Sequence, residues 1–285
     1  MDFSVDTATD AVTDSFSDTP DPRLRTVMES VTRHLHALVR EVQPTLAEWN
    51  QAIEFLTAVG QMCNATRQEF ILLSDVLGVS MLVETINEAQ GGTDSTVLGP
   101  FHLTQSPRRA LGDSIDLLGG AHPCVVSGSV STVDGRPVPG AQLDVWQCTE
   151  DGFYDVQQPD TQPAGNGRGI FTADDHGHFW FRTVVPSHYP IPTDGPVGKL
   201  LNTTKRHPYR PAHIHFLVTA DGFADLTTHA FVAASPYVDS DAVFAVKRSL
   251  IIEFAESQDT TAAAAYGVHT PFVHAQFDIV LGEHA

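Results

Sequence analysis

Residues 124–148, "CVVSGSVSTVDGRPVPGAQLDVWQC", decide the fold class of this chain. Apolar residues alternate with polar ones on both sides of a turn rich in Gly and Pro, which is the pattern of short β-strands. Similar segments follow as far as the C terminus, including "HFWFRTVVP", "HIHFLVTA" and "FVHAQFDIVL". Many short strands joined by such turns predict an antiparallel β-sandwich over residues 105–285.

Two segments inside this region have their own local signals. The turn residues at 174–177 separate two strand-like segments and predict a hairpin. In this half of the chain, a helix is predicted only at the segment "DSDAVFAVKR", residues 239–248.

The N-terminal region has a helical period instead. From Arg23 to about Gly91, apolar residues recur every three or four positions. One apolar stripe contains Val27, Val31, Leu35 and Leu38. Helix starts are predicted at Asp21-Pro22 and at two capping boxes, Thr45 with Glu48 and Thr66 with Glu69.

These two periods predict an α+β protein with three parts. Residues 1–20 are acidic and rich in Ser and Thr, which predicts a disordered tail. Residues 21–104 form a helical domain, and residues 105–285 form the β-sandwich.

Composition limits the classes of function. The net charge of −19 argues against binding to nucleic acid or to anionic membrane surfaces. No segment approaches the roughly 20 apolar residues of a membrane span, and the N terminus lacks the features of a signal peptide. The chain is therefore expected to be cytoplasmic and not membrane-embedded. Cys63, Cys124 and Cys148 contain no C-x-x-C pair and predict free thiols in a reduced compartment.

The segment "RPAHIH", residues 210–215, carries the first chemical signal. Alternate residues of a strand point to one face, so His213 and His215 share a side and can converge on one metal ion. Taken alone, the pair is as compatible with two hydrogen-bonded structural histidines as with a metal site. A zinc site completed by His229 and a two-histidine, one-carboxylate site completed by Asp221 remain open. So does a non-catalytic binding module.

Two of the five tyrosines offer a different completion. Tyr154 follows the strand "LDVWQC", and Tyr189 lies in the proline-rich loop "PSHYPIP". Tyrosine ionises near pH 10 in isolation, so it binds a metal at neutral pH only if the ion strongly favours its anion. A hard trivalent cation does this better than Zn²⁺.

Five ordered segments then carry a family resemblance. They are "STVLGPF" (95–101), "DVWQCTEDGFYD" (144–155), "PSHYPIPTDGPVGKLL" (186–201), "RPAHIHFLV" (210–218) and "PYVDSDAVFAVKRSLI" (236–251). Together they resemble the signature segments of the intradiol ring-cleaving dioxygenases, and the similarity runs from roughly residue 25 to residue 282. The resemblance implies that the β-sandwich is the catalytic domain.

The resemblance also implies a cofactor and its ligands. It predicts one non-haem Fe(III) per subunit, held by Tyr154, Tyr189, His213 and His215. The substrates would be an aromatic ortho-diol and O₂. Tyr189 would also act as a base, and Arg210 would stabilise negative charge on the ring, since a guanidinium is always charged.

The substrate is expected from the same resemblance. Catechol-cleaving members usually carry Gln at the position of His229, and this chain is more similar to the hydroxyquinol (benzene-1,2,4-triol) branch, although catechol or a substituted catechol remains the alternative. The implied pocket contains Leu72, Asp75, Val97, Leu98, Gly99, Pro100, Phe101, Ile191, Pro192, Arg210, His229 and Val243. Asp75 could accept a hydrogen bond from the third ring hydroxyl, which catechol lacks.

Members of the family typically form homodimers through their N-terminal helices, in some cases with a bound phospholipid. The resemblance therefore implies a homodimer here, with a phospholipid as a possible component of the interface. The stripe from Val27 to Leu38 is compatible with that pairing and equally with packing inside the chain.

Overall fold

A computed structural model of the chain describes residues 3–64, 67–102, 106–121 and 123–283. The helices within these ranges are α1 (Ala8–Asp14), α2 (Pro22–Val42), α3 (Leu46–Met62), α4 (Glu69–Val76), α5 (Val79–Asn87), α6 (Pro196–Thr203) and α7 (Thr260–Tyr266). The chain divides into two compact units, Met1–Ala58 and Val59–Ala285.

The first unit contains α2 and most of α3, the two longest of the described helices, and both predicted helix starts within it are confirmed. The Asp21 carboxylate accepts hydrogen bonds from the backbone N–H groups of Arg23, at 2.8 Å, and Leu24, at 3.2 Å, and so caps α2. Thr45 and Glu48 cap α3 reciprocally, since each side chain accepts from the backbone N–H of the other.

The prediction of a disordered tail is wrong for residues 8–14, which form α1. Arg40 of α2 donates to the carbonyl of Val5 and to the hydroxyl of Thr9, both at 2.8 Å. The Thr9 hydroxyl also lies 3.1 Å from Nδ1 of His36. These contacts with a helix about 30 residues away order a segment whose composition alone disfavours structure.

The predicted helical domain is also divided differently, because α4 and α5 belong to the second unit. The Glu69 carboxylate in α4 accepts a hydrogen bond from the backbone N–H of Val197 in α6, at 3.1 Å. Arg206, just after α6, donates to the carbonyl of Val76, at 2.6 Å. Of the second capping box, Thr66 lies outside the described residues, as does the predicted boundary at 104/105.

The strands of the described residues form two five-stranded sheets and one short ribbon. They are β1 (Pro123–Thr132), β2 (Gln142–Trp146), β3 (Arg168–Thr172), β4 (His178–Val184), β5 (Tyr189–Pro190), β6 (Tyr209–Arg210), β7 (His213–Thr219), β8 (Leu226–Val232), β9 (Ile251–Ile252), β10 (Phe254–Ser257), β11 (Phe272–Gln276) and β12 (Ile279–Leu281). The sheets are mixed, which corrects the purely antiparallel prediction. In the first sheet, β1 pairs in parallel with β11 and β12 and antiparallel with β4. The second sheet has the strand order β3-β2-β7-β8-β9. Of its described strand pairs, only β8 and β9 are parallel.

The predicted hairpin at residues 174–177 is wrong. The strands on either side of it lie in different sheets, since β3 pairs with β2 and β4 pairs with β1. The turn therefore carries the chain from one layer of the sandwich to the other. Periodicity identifies a strand, but it does not identify the partner strand.

Aromatic side chains from both sheets form the core between them. Phe216 of β7 lies edge-on to Phe179 of β4, with ring centroids 6.2 Å apart, and contacts Phe277 at 5.2 Å. Phe171 of β3 stacks on Phe181 of β4 at 5.0 Å. Because alternate residues of β7 face this core, His213 and His215 are directed to the opposite side of their sheet.

The helix predicted at residues 239–248 is wrong. The segment forms turns, and Phe244 has a left-handed φ of 60°. The Asp241 carboxylate accepts hydrogen bonds from the backbone N–H groups of Val243 and Ala245, and this local bonding competes with a helix. Helices α6 and α7 were not predicted, although Asp259 caps α7 through the backbone N–H groups of Thr261 and Ala262.

The cysteines are free, as predicted, and burial raises the pKa of Cys124 and of Cys148 to about 12. Among the described residues, no helix has the length and apolar character needed to cross a membrane.

Candidate metal centre

The register of the second sheet brings three histidines together. His215 of β7 lies opposite His229 of β8 and, on its other side, opposite Trp146 of β2. The Trp146 indole stacks on the His215 imidazole, with ring centroids 4.6 Å apart and planes 10° from parallel. His213, His215 and His229 are all buried and offer ligand atoms within 4.8 Å of one another.

The two tyrosines reach the same place from loops and from the ribbon. Tyr154 lies in the turn after β2, where Gln157 holds its backbone N–H. Tyr189 begins β5 and pairs with Arg210 of β6 in the ribbon. Phe101 stacks on Tyr154 at 4.5 Å and lies edge-on to Tyr189 at 6.3 Å, so it covers both rings.

Four side-chain atoms form a closed cluster, which we call the ligand-atom cluster. Tyr154 Oη lies 3.3 Å from Tyr189 Oη, and Tyr189 Oη lies 3.5 Å from His213 Nε2. His213 Nε2 lies 3.1 Å from His215 Nε2, which in turn lies 3.1 Å from Tyr154 Oη. Atoms bound to one metal ion at about 2 Å lie roughly 3 Å apart, so this spacing is that of a coordination shell.

The hydrogen bonding of the histidines fits a metal. His213 Nδ1 lies 2.7 Å from the carbonyl of Pro211, which can only accept, so Nδ1 carries the proton. The lone pair of Nε2 can then bind a metal ion or accept from the N–H of Arg210. His213 Nε2 and His215 Nε2 face each other at 3.1 Å. Burial, together with the charge of Arg210, lowers the pKa of His213 well below its ordinary value, so its imidazole is a neutral ligand.

The tyrosines fit a strongly charged cation. Burial raises the pKa of Tyr154 well above its ordinary value, and repulsion from Tyr189 adds to the effect. Burial also raises the pKa of Tyr189, but there the charge of Arg210 opposes it. Two buried phenols side by side ionise at neutral pH only if a cation compensates both anions, which suits an ion of high charge.

Arg210 lies against the cluster, and its carboxylate partner was not predicted. Arg210 Nη1 is 3.2 Å from His213 Nε2, while Nε and Nη2 face the Asp241 carboxylate at 3.2 and 3.4 Å. Burial disfavours the charge of Arg210, but Asp241 and the tyrosines outweigh it and raise the pKa of Arg210. A buried arginine requires such a partner, yet the sequence does not indicate which acid supplies it.

A second buried ion pair, between Arg168 and Asp155, lies on the Tyr154 side of the cluster and was also not predicted. Arg168 Nε donates to Asp155, the residue after Tyr154, at 2.8 Å. Arg168 Nη1 donates to the carbonyl of Phe101, also at 2.8 Å. Because one guanidinium binds both chain segments, the Phe101 ring stays in place on Tyr154.

The predicted pocket residues differ in burial. Leu72, Asp75, Val97, Ile191, Arg210, His229 and Val243 are buried, Gly99, Phe101 and Pro192 are half-buried, and Leu98 and Pro100 are exposed. Gly99 approaches the cluster closely, since a Cβ there would lie 3.1 Å from Cε1 of His215. Asp221 is exposed, so it does not join the histidines as the carboxylate of a two-histidine site.

Asp75 is buried in α4, close enough to Arg210 for the two charges to interact. Burial raises its pKa, while a hydrogen bond from Ser80 and the charge of Arg210 oppose this. His229 Nδ1 is bonded to the Thr96 hydroxyl, and its buried Nε2 has no hydrogen-bond partner among the described residues.

Comparison with known families matches both parts of the chain. The family model described as "Dioxygenase" matches residues 107–283, and the one described as "Catechol dioxygenase N terminus" matches residues 21–94. The chain is also 52% identical over 252 residues to a hydroxyquinol 1,2-dioxygenase from Rhizobium sp., covering 88% of this chain and 85% of the relative. The chain belongs to the intradiol ring-cleaving dioxygenase family.

Two further comparisons agree. A 6-chlorohydroxyquinol 1,2-dioxygenase from Cupriavidus pinatubonensis is 50% identical, over 89% of this chain and 92% of the relative. The structure of a hydroxyquinol 1,2-dioxygenase from Pseudomonas putida superposes with a TM-score of 0.90 at 46% identity and covers 98% of this chain and 99% of that one. The chain is thus an intradiol dioxygenase, and the readings as a zinc hydrolase or a non-catalytic module are set aside. The family implies non-haem iron, and the histidine cluster is compatible with it.

Proposed function

We propose that this intradiol dioxygenase is a hydroxyquinol 1,2-dioxygenase. It would insert both atoms of O₂ into benzene-1,2,4-triol and give 3-hydroxy-cis,cis-muconate, the tautomer of maleylacetate. The observation that carries the proposal is the ligand-atom cluster of two tyrosines and two histidines. A buried acid, Asp75, lies close enough to Arg210 for their charges to interact. The relatives named above, at 46–52% identity, support the choice of substrate.

We infer one Fe(III) per subunit, held by Tyr154, Tyr189, His213 and His215. When bound, the ion supplies a Lewis acid that accepts electron density from the diol and prepares its ring for O₂. The protein would keep both imidazoles neutral through burial and keep the ring of His215 flat against Trp146. Phe101 and the 97–101 segment would exclude water from the tyrosine side.

Tyr189 and Arg210 would act on the substrate. Tyr189 Oη would take a proton from one diol hydroxyl, since it lies at the edge of the cluster where Arg210 approaches. Arg210 Nη1 points to the cluster and would stabilise the negative charge that develops on the ring. Asp75 would bind the third hydroxyl, and the buried side chains of Leu72, Val97, Ile191 and Val243 would line the apolar part of the pocket.

Oxygen uptake tests this proposal. Iron-loaded protein should consume one O₂ per hydroxyquinol, with a kcat/KM at least about tenfold above that for catechol, because a site built for an extra hydroxyl discriminates against the analogue that lacks it. Concentrated protein should be wine-red from tyrosinate-to-iron charge transfer. A colourless protein with stoichiometric zinc and no bound iron would contradict the proposal.

We also propose that the active form is a homodimer that pairs through α2. The support is an apolar stripe on this helix that remains exposed within the chain, consisting of Leu24, Val27, Met28, Val31, Leu35, Leu38, Val39 and Val42. A second copy of the chain would cover the stripe, and a phospholipid acyl chain would fill the space that side chains leave between the copies.

A further inference from the structure

We propose that Asp241 is the positioning residue of this active site. Its carboxylate directs Arg210 toward the ligand-atom cluster and shapes the chain segment that carries Val243. The inference rests on the proposed function, in which Arg210 acts on the bound diol, and it assigns a role to a residue that touches neither the cluster nor the substrate.

The first step is the geometry of the ion pair. The Asp241 carboxylate accepts hydrogen bonds from two nitrogens of the Arg210 guanidinium, with Oδ1 3.2 Å from Nε and Oδ2 3.4 Å from Nη2. The side chains of Arg210 and Asp241 are 3% and 1% exposed, so water does not compete for these bonds. Because the guanidinium is planar and rigid, fixing one edge on a carboxylate leaves Nη1 directed at His213 Nε2, 3.2 Å away.

The second step is the backbone that the same carboxylate holds. Oδ1 also accepts from the backbone N–H of Val243, at 3.3 Å, and Oδ2 from that of Ala245, at 3.1 Å. Between them, Phe244 has a φ of 60°, a left-handed conformation that a bulky residue rarely adopts. The carboxylate therefore stabilises an unfavourable turn. This turn carries Val243, a buried residue of the proposed pocket.

The third step is charge. Arg210 is buried with its full charge, and without Asp241 that charge would be uncompensated in the interior. Alanine and asparagine at position 241 would both remove this compensation. Alanine would also leave a cavity and the backbone N–H groups of Val243 and Ala245 without their acceptor, which would damage the fold as well as the site. Asparagine has the same shape but no charge, and its amide nitrogen cannot accept from Arg210 or from Ala245. Asp241→Asn thus removes the alignment of Arg210 with the smallest change in volume.

A double-mutant cycle tests whether Asp241 acts through Arg210. We expect Asp241→Asn to lower kcat/KM for hydroxyquinol by about tenfold to 100-fold, the effect of losing hydrogen bonds to a charged group, with iron content unchanged. In an Arg210→Gln background the same substitution should change kcat/KM less than twofold. Equal losses in both backgrounds would mean a purely structural role and would overturn the inference.

The matched control is Asp239→Asn. Asp239 is an exposed acid two residues away in the same loop, and its substitution makes the same change of charge. It should leave kcat/KM within twofold of the wild type. If Asp241→Asn does not fold, Asp241→Glu, which keeps the charge but lengthens the side chain by one methylene, should show the same dependence on Arg210.

A crystal structure of the metal-free variant gives a readout without catalysis. In Asp241→Asn, Arg210 Nη1 should move out of hydrogen-bond distance of His213 Nε2. An unmoved Arg210 overturns the positioning role even if hydroxyquinol is confirmed as substrate. If Arg210 moves but the wild-type enzyme does not cleave hydroxyquinol, the proposed function fails and the positioning role stands.

Discussion

Tyr189 and Arg210 are the pair of residues on which the proposed chemistry depends most directly. They lie opposite each other in the β5–β6 ribbon, and Tyr189 Oη is 3.5 Å from His213 Nε2. If Tyr189 is both a ligand and the base, Tyr189→Phe should lower kcat by about 100-fold or more, the range of a lost general base. The visible charge-transfer band should shift as well. Steady-state oxygen uptake and absorption spectra of iron-loaded protein measure both effects.

Tyr209→Phe is the control for this experiment. Tyr209 adjoins Arg210 in the same ribbon, but it stacks on Tyr237 at 4.8 Å rather than joining the cluster. Its hydroxyl should be dispensable, with kcat within about threefold of the wild type, because no hydrogen bond of a proposed ligand depends on it. Unchanged kinetics in Tyr189→Phe would remove Tyr189 from the proposed ligand set.

Asp75 should determine how far kcat/KM for hydroxyquinol exceeds kcat/KM for catechol, which has one hydroxyl fewer. It is buried in α4, and burial raises its pKa. We expect Asp75→Ala to lower kcat/KM for hydroxyquinol by about tenfold to 100-fold, because the third hydroxyl loses its partner. The value for catechol should fall less than threefold, so catechol is the internal control. Equal losses on both substrates would make Asp75 a structural residue.

Strand β1 is the element that most of the first sheet depends on. It pairs with β4, β11 and β12, and Gly128 lies at its centre, where a Cβ would be 1.9 Å from the carbonyl oxygen of Phe277. Gly128→Ala should therefore lower the free energy of unfolding by about 2–3 kcal/mol, since backbone cannot move aside as a flexible side chain can. Urea denaturation of the iron-loaded protein measures the change.

Gly60→Ala is the matched control at this scale. Gly60 lies in α3, and an added Cβ would meet Phe70 only at ordinary contact distance, 3.4 Å. Because alanine favours a helix over glycine by about 0.5–1 kcal/mol, this variant should be as stable as the wild type or more so. A stable Gly128→Ala would mean that β1 and Phe277 do not approach as closely as the fold requires.

At the scale of the whole molecule, the side chains of the apolar stripe on α2 are exposed among the described residues. Leu35 is 55% exposed in this stripe. Leu35→Asp should weaken the proposed homodimer by at least about 100-fold in Kd, because a carboxylate would be buried without a partner. Sedimentation velocity should give twice the chain mass for the wild type and the chain mass for the variant.

Ala37→Asp controls for the added charge. Ala37 is exposed on α2 but lies off the stripe, so its variant should remain dimeric. Mass spectrometry of solvent extracts should find phospholipid with the wild type and not with Leu35→Asp. A wild-type protein that sediments as a monomer at micromolar concentration would contradict the proposed pairing.

Some of this organisation is determined by the sequence alone. Three features are local properties, because each depends on residues within one turn or one strand. They are the apolar periods of two and 3.6 residues, the helix caps at Asp21 and Thr45, and the shared face of His213 and His215. The same holds for the alternation that sends Ile214 and Phe216 into the core.

The tertiary structure alone decided the rest. The parallel pairing of β1 with β11 and β12, the ordering of α1 by Arg40 and the Asp241 partner of Arg210 join residues that are 31–149 positions apart. Their energies come from burial and from pairing across the fold, which no local pattern encodes. For that reason the strand pattern predicted that His213 and His215 share a face, and the family resemblance added Tyr154 and Tyr189 to the proposed ligands. The residues that hold these side chains in place appeared only in three dimensions.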